Sequence, residues 1–147
     1  MPFVKVWIHF VWSTKNRAPY LTDEIRPQVF QHIRENAQEK GIYLDFINGH
    51  TDHVHCLISL GTDQTIEKIM QLLKGESSFW INKQRLCPTK FGWQEEYFAV
   101  SVSEANVASV RRYIANQEEH HRTKSFEDEF AGFMQRAGFQ QFKDGEN

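Results

Sequence analysis

Residues 42–60, Ile42-Tyr-Leu-Asp-Phe-Ile-Asn-Gly-His-Thr-Asp-His-Val-His-Cys-Leu-Ile-Ser-Leu60, read as two strands and the turn between them. Both flanks, 42–48 and 53–60, are rich in aromatic, aliphatic and β-branched side chains. Gly49-His-Thr-Asp52 between them is turn-forming, so a hairpin is expected. Successive side chains of a strand point to opposite faces. In the second strand Val54, Cys56, Ile58 and Leu60 therefore share one face, suited to packing under helices, and His53 and His55 share the other.

Working outward, residues 3–13 form a further apolar run that reads as a strand. Val4, Val6, Ile8 and Phe10 lie on one side and Lys5, Trp7 and His9 on the other. A polar loop follows to Tyr20. A helix is expected over 23–40, with Thr22 as its cap, Ile25, Val29, Phe30, Ile33 and Ala37 as its apolar stripe, and Gly41 to end it. Downstream, a second helix is expected over 65–83, with Ile66, Ile69, Met70 and Leu73 on one side. Gly75 in its middle implies either a close backbone approach or a break. Residues 96–102 read as a strand, and Ser101 and Glu104 have the spacing of a capping box opening a third helix to about Gln117. The order β-α-β-β-α-β-α predicts an α+β fold of the ferredoxin-like, split βαβ kind. Its antiparallel sheet would carry helices on one face and leave the other free, with an additional C-terminal helix. A single domain is expected over residues 1–147, with a core at about 3–121 and a polar tail at 122–147.

The 147-residue chain is long enough for one buried core, and its 40% hydrophobic content is ordinary for a globular domain. A net charge of −2 is not that of a strongly basic nucleic-acid binder. A groove can nonetheless be basic on an acidic protein, and cations do cluster at Lys15 and Arg17, Arg111 and Arg112, and Arg122 and Lys124. Two cysteines, Cys56 and Cys87, suggest neither a disulfide framework nor a zinc motif. No apolar run approaches the roughly 20 residues that span a bilayer, and the N-terminus lacks a signal-peptide layout. A reducing cytoplasm fits these features.

Two constellations could carry chemistry. His53 and His55, two residues apart on one strand face, can chelate a metal ion; a pair of surface histidines is the plainer reading. On the third helix Val107, Val110 and Ile114 form an apolar stripe, and Tyr113 and Gln117 lie four apart along one edge of it. A phenol there can act as a nucleophile if a metal polarises the group attacked, and the amide oxygen of Gln117 can be a third ligand. Alone, the same two residues read more simply as a packed ring and a helix-end amide.

Three segments carry a resemblance: Phe10-Val-Trp-Ser-Thr-Lys15, Gly49-His-Thr-Asp-His-Val-His-Cys-Leu57 and Tyr113-Ile-Ala-Asn-Gln-Glu-Glu-His-His-Arg122. In that order and separation they closely resemble the single-tyrosine HUH transposases. These are the insertion-sequence-200-like family, including relatives associated with repeated extragenic palindromes. The likeness covers about residues 5–130. It implies a ferredoxin-like fold, with His53, His55 and Gln117 as ligands of Mg²⁺ or Mn²⁺ and Tyr113, on the C-terminal helix, as the nucleophile. The reaction implied is cleavage and rejoining of single-stranded DNA through a 5′-phosphotyrosine link, at element ends that contain hairpins. It also implies a homodimer in which the tyrosine helix of one subunit serves the histidines of the other. Trp7, Trp12, Lys15 and Arg17 near the first strand are candidates to contact the single strand, with the core as the alternative place for Trp12, and Arg111 and Arg112 near the nucleophile are candidates to meet phosphates. Two other classes share parts of this pattern. A non-catalytic nucleic-acid-binding module, such as a domesticated relative, would not need Tyr113 or Gln117. A metal-dependent hydrolase using the two histidines and a water would leave no covalent adduct.

Overall fold

Alternation along β1 (Trp7–Thr14) sends Ile8, Phe10 and Trp12 to one side of the sheet, where they join Val54, Cys56 and Ile58 in the main core. The structure is a computed structural model and describes residues 2–121, 125–136 and 138. The strand begins later than its apolar composition implies: Phe3 is 97% exposed, and Val4 and Val6 are also exposed. A short 3₁₀ turn (Lys15–Arg17) leads toward α1 (Arg26–Glu39). Thr22 does not cap this helix with its side chain; its carbonyl accepts the Arg26 N–H instead. Pro27 is tolerated in the first turn, where no intrahelical donor is required. Gly41, at φ +71°, ends the helix as expected.

The hairpin forms from β2 (Tyr43–Gly49) and β3 (His53–Ser59). Its register slips between Leu44 and Phe46, so Leu44 packs with the main core whereas Phe46 packs on the opposite face. Gly49 is required at the turn, since a Cβ there would meet the His53 carbonyl oxygen at 2.2 Å. Next comes α2 (Ile66–Gln84), with Thr65 accepting from the Lys68 N–H at 3.1 Å. The helix runs unbroken through Gly75, and nothing lies within 4 Å of a Cβ placed there. Neither a close backbone approach nor a break accounts for this glycine.

The last strand, β4 (Trp93–Val102), is longer than expected and includes Ser101, so the Ser101–Glu104 capping box does not form. A 3₁₀ turn (Glu104–Asn106) precedes α3 (Val107–Ala115). The chain kinks at Asn116 before α4 (Gln117–His120), and α5 (Phe126–Arg136) follows. The four strands lie in the order β2-β3-β1-β4, and each neighbouring pair is antiparallel. This is the ferredoxin-like arrangement, with α1 and α2 over one face.

The other face is not free. Trp7 and Leu57 pack against Val107 and Ile114 of α3, and Val11 and Phe98 pack against Phe126 of α5, with Phe130 and Met134 alongside. The expectation of an open sheet surface is therefore corrected: the helices after β4 bring their own apolar stripes and cover it. Among the described residues no helix is long and apolar enough to cross a membrane.

Candidate metal and nucleophile site

His53 and His55 project from β3 toward α4 and α5, and both are fully buried. Each ring has its outer nitrogen engaged. Nδ1 of His53 lies 2.8 Å from Asp52 Oδ1, and Nδ1 of His55 lies 2.9 Å from His9 Nε2. His9 reaches His55 because β1 and β3 are neighbours and alternation puts both residues on the same face. With a proton on each Nδ1, donated outward, both Nε2 lone pairs would face a bound cation; without one, Nε2 of His55 can carry the proton and donate it to Glu129.

The tyrosine helix is tied to the hairpin. The Asn48 side-chain amide donates to the carbonyls of Ile114 (3.0 Å) and Ala115 (3.2 Å), satisfying acceptors that the end of α3 leaves open. Arg111 forms a two-pronged pair with Asp45, at 2.7 and 2.9 Å. Tyr113 is thereby held with its ring centroid 5.7 Å from that of His55, and its hydroxyl lies 3.4 Å from His120 Nε2. Gln117 starts α4 beyond the kink and is fully buried. Its amide N–H donates to the Tyr113 carbonyl, which leaves its oxygen 3.0 Å from His53 Nε2 and 3.2 Å from His121 Nε2.

Glu129 of α5 completes the cluster and was not foreseen from the sequence. One carboxylate oxygen lies 2.9 Å from His55 Nε2 and 3.6 Å from His53 Nε2. The other lies 2.8 Å from His120 Nε2 and 3.1 Å from His121 Nε2. A sequence signal did exist: Glu129 falls between Phe126 and Phe130 on the inward side of an amphipathic helix, where an acid needs partners.

One ligand atom from each of His53, His55 and Glu129 lies within 4.8 Å of the others. The Gln117 oxygen is beside them. These are nitrogen and oxygen lone pairs converging in a dry interior, which suits a divalent cation. The charge balance agrees. Burial lowers His55 to about 4, against the opposing hydrogen bond that it makes to Glu129, and burial followed by the nearby His55 lowers His9 to about 3. Burial alone would raise the Glu129 carboxyl, yet hydrogen bonds from His121 and His55 hold it far below the usual range. A buried carboxylate beside the neutral imidazole of His55 is a charge that a cation would balance. Tyr113 is pushed well above the ordinary phenol value by burial, then by the hydrogen bond to Glu129 and its charge. The phenol therefore keeps its proton at neutral pH and must pass it on to react.

All four residues expected at the centre meet within the one chain described. The expected DNA contacts fare unequally. Trp12 is 1% exposed and sits edge-on to Trp93 in the core, so it is no stacking platform. Its even register in β1 points it toward α1 and α2. Trp7 is also buried, with its indole donating to Glu104. Lys15, Arg17, Arg111 and Arg112 are exposed. Arg17 pairs with Glu127 at 2.8 Å, and Arg112 donates to Ser109 at 3.2 Å. The Arg122 and Lys124 pair lies outside the described residues.

Comparison with known proteins points one way. Residues 3–117 match the profile of the family described as "Transposase IS200 like". The ISDra2 transposase TnpA of Deinococcus radiodurans is 28% identical over 114 residues, spanning 74% of this chain and 81% of that protein. A structure solved as a candidate transposase of D. radiodurans R1 superposes with a TM-score of 0.62 at 28% identity, covering 79% of this chain and 93% of that one. The structure of a REP-associated tyrosine transposase bound to a REP hairpin superposes with a TM-score of 0.63 at 14% identity, covering 82% and 72%.

Proposed function

This chain belongs to the family of IS200-like transposases, and from that membership we propose that it cuts and rejoins single-stranded DNA with Tyr113 as nucleophile. The observation that carries the proposal is the convergence of Tyr113, His53, His55 and Gln117 on one buried point. His53, His55 and Gln117 would hold a divalent metal, with Glu129 as a further oxygen ligand. The two imidazoles favour Mn²⁺ over Mg²⁺, which prefers oxygen donors. Such a cation supplies charge that polarises the scissile phosphate and stabilises the pentavalent transition state.

The chain's own groups do the rest. The Tyr113 oxygen attacks phosphorus, its proton passes to the adjoining His120–Glu129 pair, and the bond to the 3′ oxygen breaks. The leaving oxygen takes up a proton to become a free 3′-hydroxyl, and the 5′ phosphate remains on Tyr113. Attack by a 3′-hydroxyl on that phosphotyrosine reverses the step and joins a new partner, with no input of ATP. The DNA partner proposed is a single strand with hairpin-containing ends, by analogy with the REP hairpin held by the solved relative. The reaction is placed in the cytoplasm.

The experiment uses labelled single-stranded DNA from the flanks of the gene, Mn²⁺ and a denaturing gel. Wild type should give a covalent protein–DNA band, and Tyr113→Phe should give none. Cleavage that survives unchanged in Tyr113→Phe would favour a water-using hydrolase; binding without cleavage in wild type would favour a non-catalytic module. The geometry favours cleavage in cis. Mixing Tyr113→Phe with a His53→Ala, His55→Ala double variant should then restore nothing. Recovered activity would instead establish a homodimer with sites shared between subunits.

A further inference from the structure

Tyr113 and Gln117 are neighbours in sequence but belong to two helices, since the chain turns at Asn116 between α3 and α4. Four residues of unbroken helix would advance about 6 Å along one axis. The turn instead keeps Tyr113 beside His55 while Gln117 brings its oxygen to 3.0 Å from His53 Nε2. The place of this turn therefore sets the nucleophile relative to the metal-binding side chains.

One side chain holds the turn from outside the two helices. Asn48 of β2 pairs with His55 across the β2–β3 ladder, and directly opposed residues of a ladder share a sheet face. Its NH₂ has two protons to give, and the carbonyls of Ile114 and Ala115 lie 3.0 and 3.2 Å away. Those are the last two residues of α3. A single side chain thus joins the strand position facing His55 to the helix end that lies between Tyr113 and Gln117. The rest of α3 docks by other means, through Val107 and Ile114 against Trp7 and Leu57 and through the Arg111–Asp45 pair. Without the Asn48 amide the helix would remain packed on the sheet, and the loss would fall on alignment.

We propose that Asn48 is a positioning residue for strand cleavage, which sets Tyr113 and Gln117 in register with His53 and His55 by tying the end of α3 to the strand beside His55. The proposal rests on the single-strand-cleavage reading above. Asn48 acts through the helix end and not at the reacting atoms. A displacement of about 1 Å in a reacting group can cost on the order of 100-fold in rate, so a modest shift of the α3 terminus is felt in the chemical step before it is felt in binding.

The test compares full-length wild type with Asn48→Asp and Asn48→Ala. Ionised aspartate keeps the shape of asparagine but only accepts hydrogen bonds, so it removes both donors without opening a gap; alanine removes donors and volume together. With saturating Mn²⁺ and labelled single-stranded DNA from the flanks of the gene, covalent adduct formation should slow on the order of 10- to 100-fold in both variants. Affinity for the strand, read by fluorescence anisotropy with chelator present, should stay near that of wild type. A second readout needs neither metal nor DNA. The Tyr113 ring stands edge-on to His55, at 5.7 Å between centroids and 77° between planes, so it shifts the ring-proton resonances of His55. That shift, taken as the difference between each protein and its Tyr113→Leu counterpart, should shrink in both Asn48 variants. A wild-type adduct rate in Asn48→Asp, an undiminished ring shift, or a loss of rate matched by a loss of strand affinity overturns the positioning role and leaves the cleavage reading intact. A variant that melts earlier but keeps the wild-type rate and ring shift assigns Asn48 to stability alone. Wild type that forms no adduct overturns the cleavage reading itself, and the positioning role with it.

Discussion

At the scale of single residues, the two histidines work as a pair because different neighbours set each ring. Asp52 accepts from Nδ1 of His53, and His9 occupies the equivalent place behind His55. Groups in this position fix the tautomer and aim of a metal-binding imidazole, and losing one typically costs 10- to 100-fold in metal affinity. His9→Leu should therefore weaken Mn²⁺ binding by roughly that factor, read as free Mn²⁺ by electron paramagnetic resonance. His9→Asn, whose amide oxygen can still accept, should recover part of the loss. Unchanged Mn²⁺ affinity in His9→Leu would show that His55 needs no such support. Much of this centre was legible in the sequence. Strand alternation sorted His53 and His55 from Val54 and Cys56, and the Tyr113–Gln117 spacing survives although a kink at Asn116 separates the two helices. Glu129 and His9 were not legible as partners of His55, because strand pairing and the docking of α5, not chain proximity, bring them there.

The secondary-structure elements divide according to whether local or tertiary forces set them. Both helices over the main core were readable from their 3.6-residue apolar stripes, and the hairpin from its turn. Boundaries shifted where side-chain chemistry lost to the sheet. Ser101 could open a capping box, but its strand pairs with Ile8 of β1 and the ladder extends to Val102. The slip at Asp45 likewise has no local signal; it lets Phe46 change face and leaves Asp45 to hold Arg111 on α3. The two unusual glycines separate the same forces experimentally. Gly75 lies inside α2 with open space where a Cβ would stand, so Gly75→Ala should stabilise the fold by about 0.4–1 kcal/mol through the unfolded chain's lost freedom. Gly49→Ala should do the reverse, since its Cβ would collide with the backbone carbonyl of His53 at 2.2 Å. Thermal or urea unfolding of the two variants measures both. If Gly75→Ala lowers the midpoint, the helix is constrained at that position by a contact absent from this fold.

For the whole molecule, the covering of the second sheet face turns a surface pair of histidines into a buried polar centre, and this makes folding depend on pH. The shift of His9 to about 3 and of His55 to about 4 means that the folded chain refuses protons which the unfolded chain accepts below about pH 6.5. Stability rises with pH wherever the unfolded state binds more protons. For the metal-free protein it should therefore be greatest above the ordinary histidine value and fall as pH drops from 6.5 toward 4. Each of the two histidines contributes a slope of up to about 1.4 kcal/mol per pH unit. The Glu129 carboxyl, held low in the fold, adds a loss in the same direction once the unfolded carboxyl begins to protonate, near its ordinary value of 4.5. A divalent ion stabilises the fold by binding it and not the unfolded chain, by about 2.7 kcal/mol at a hundredfold excess over its dissociation constant. Because the ion uses the neutral imidazoles, its stabilisation should shrink on acidification and be absent from the His53→Ala, His55→Ala variant. Urea unfolding between pH 4 and 8, with chelator and with Mn²⁺, measures both trends. A metal-free stability that stays level from pH 6.5 to 4.5 would mean that the histidines take up protons without opening the fold, and that α5 does not seal the site in solution.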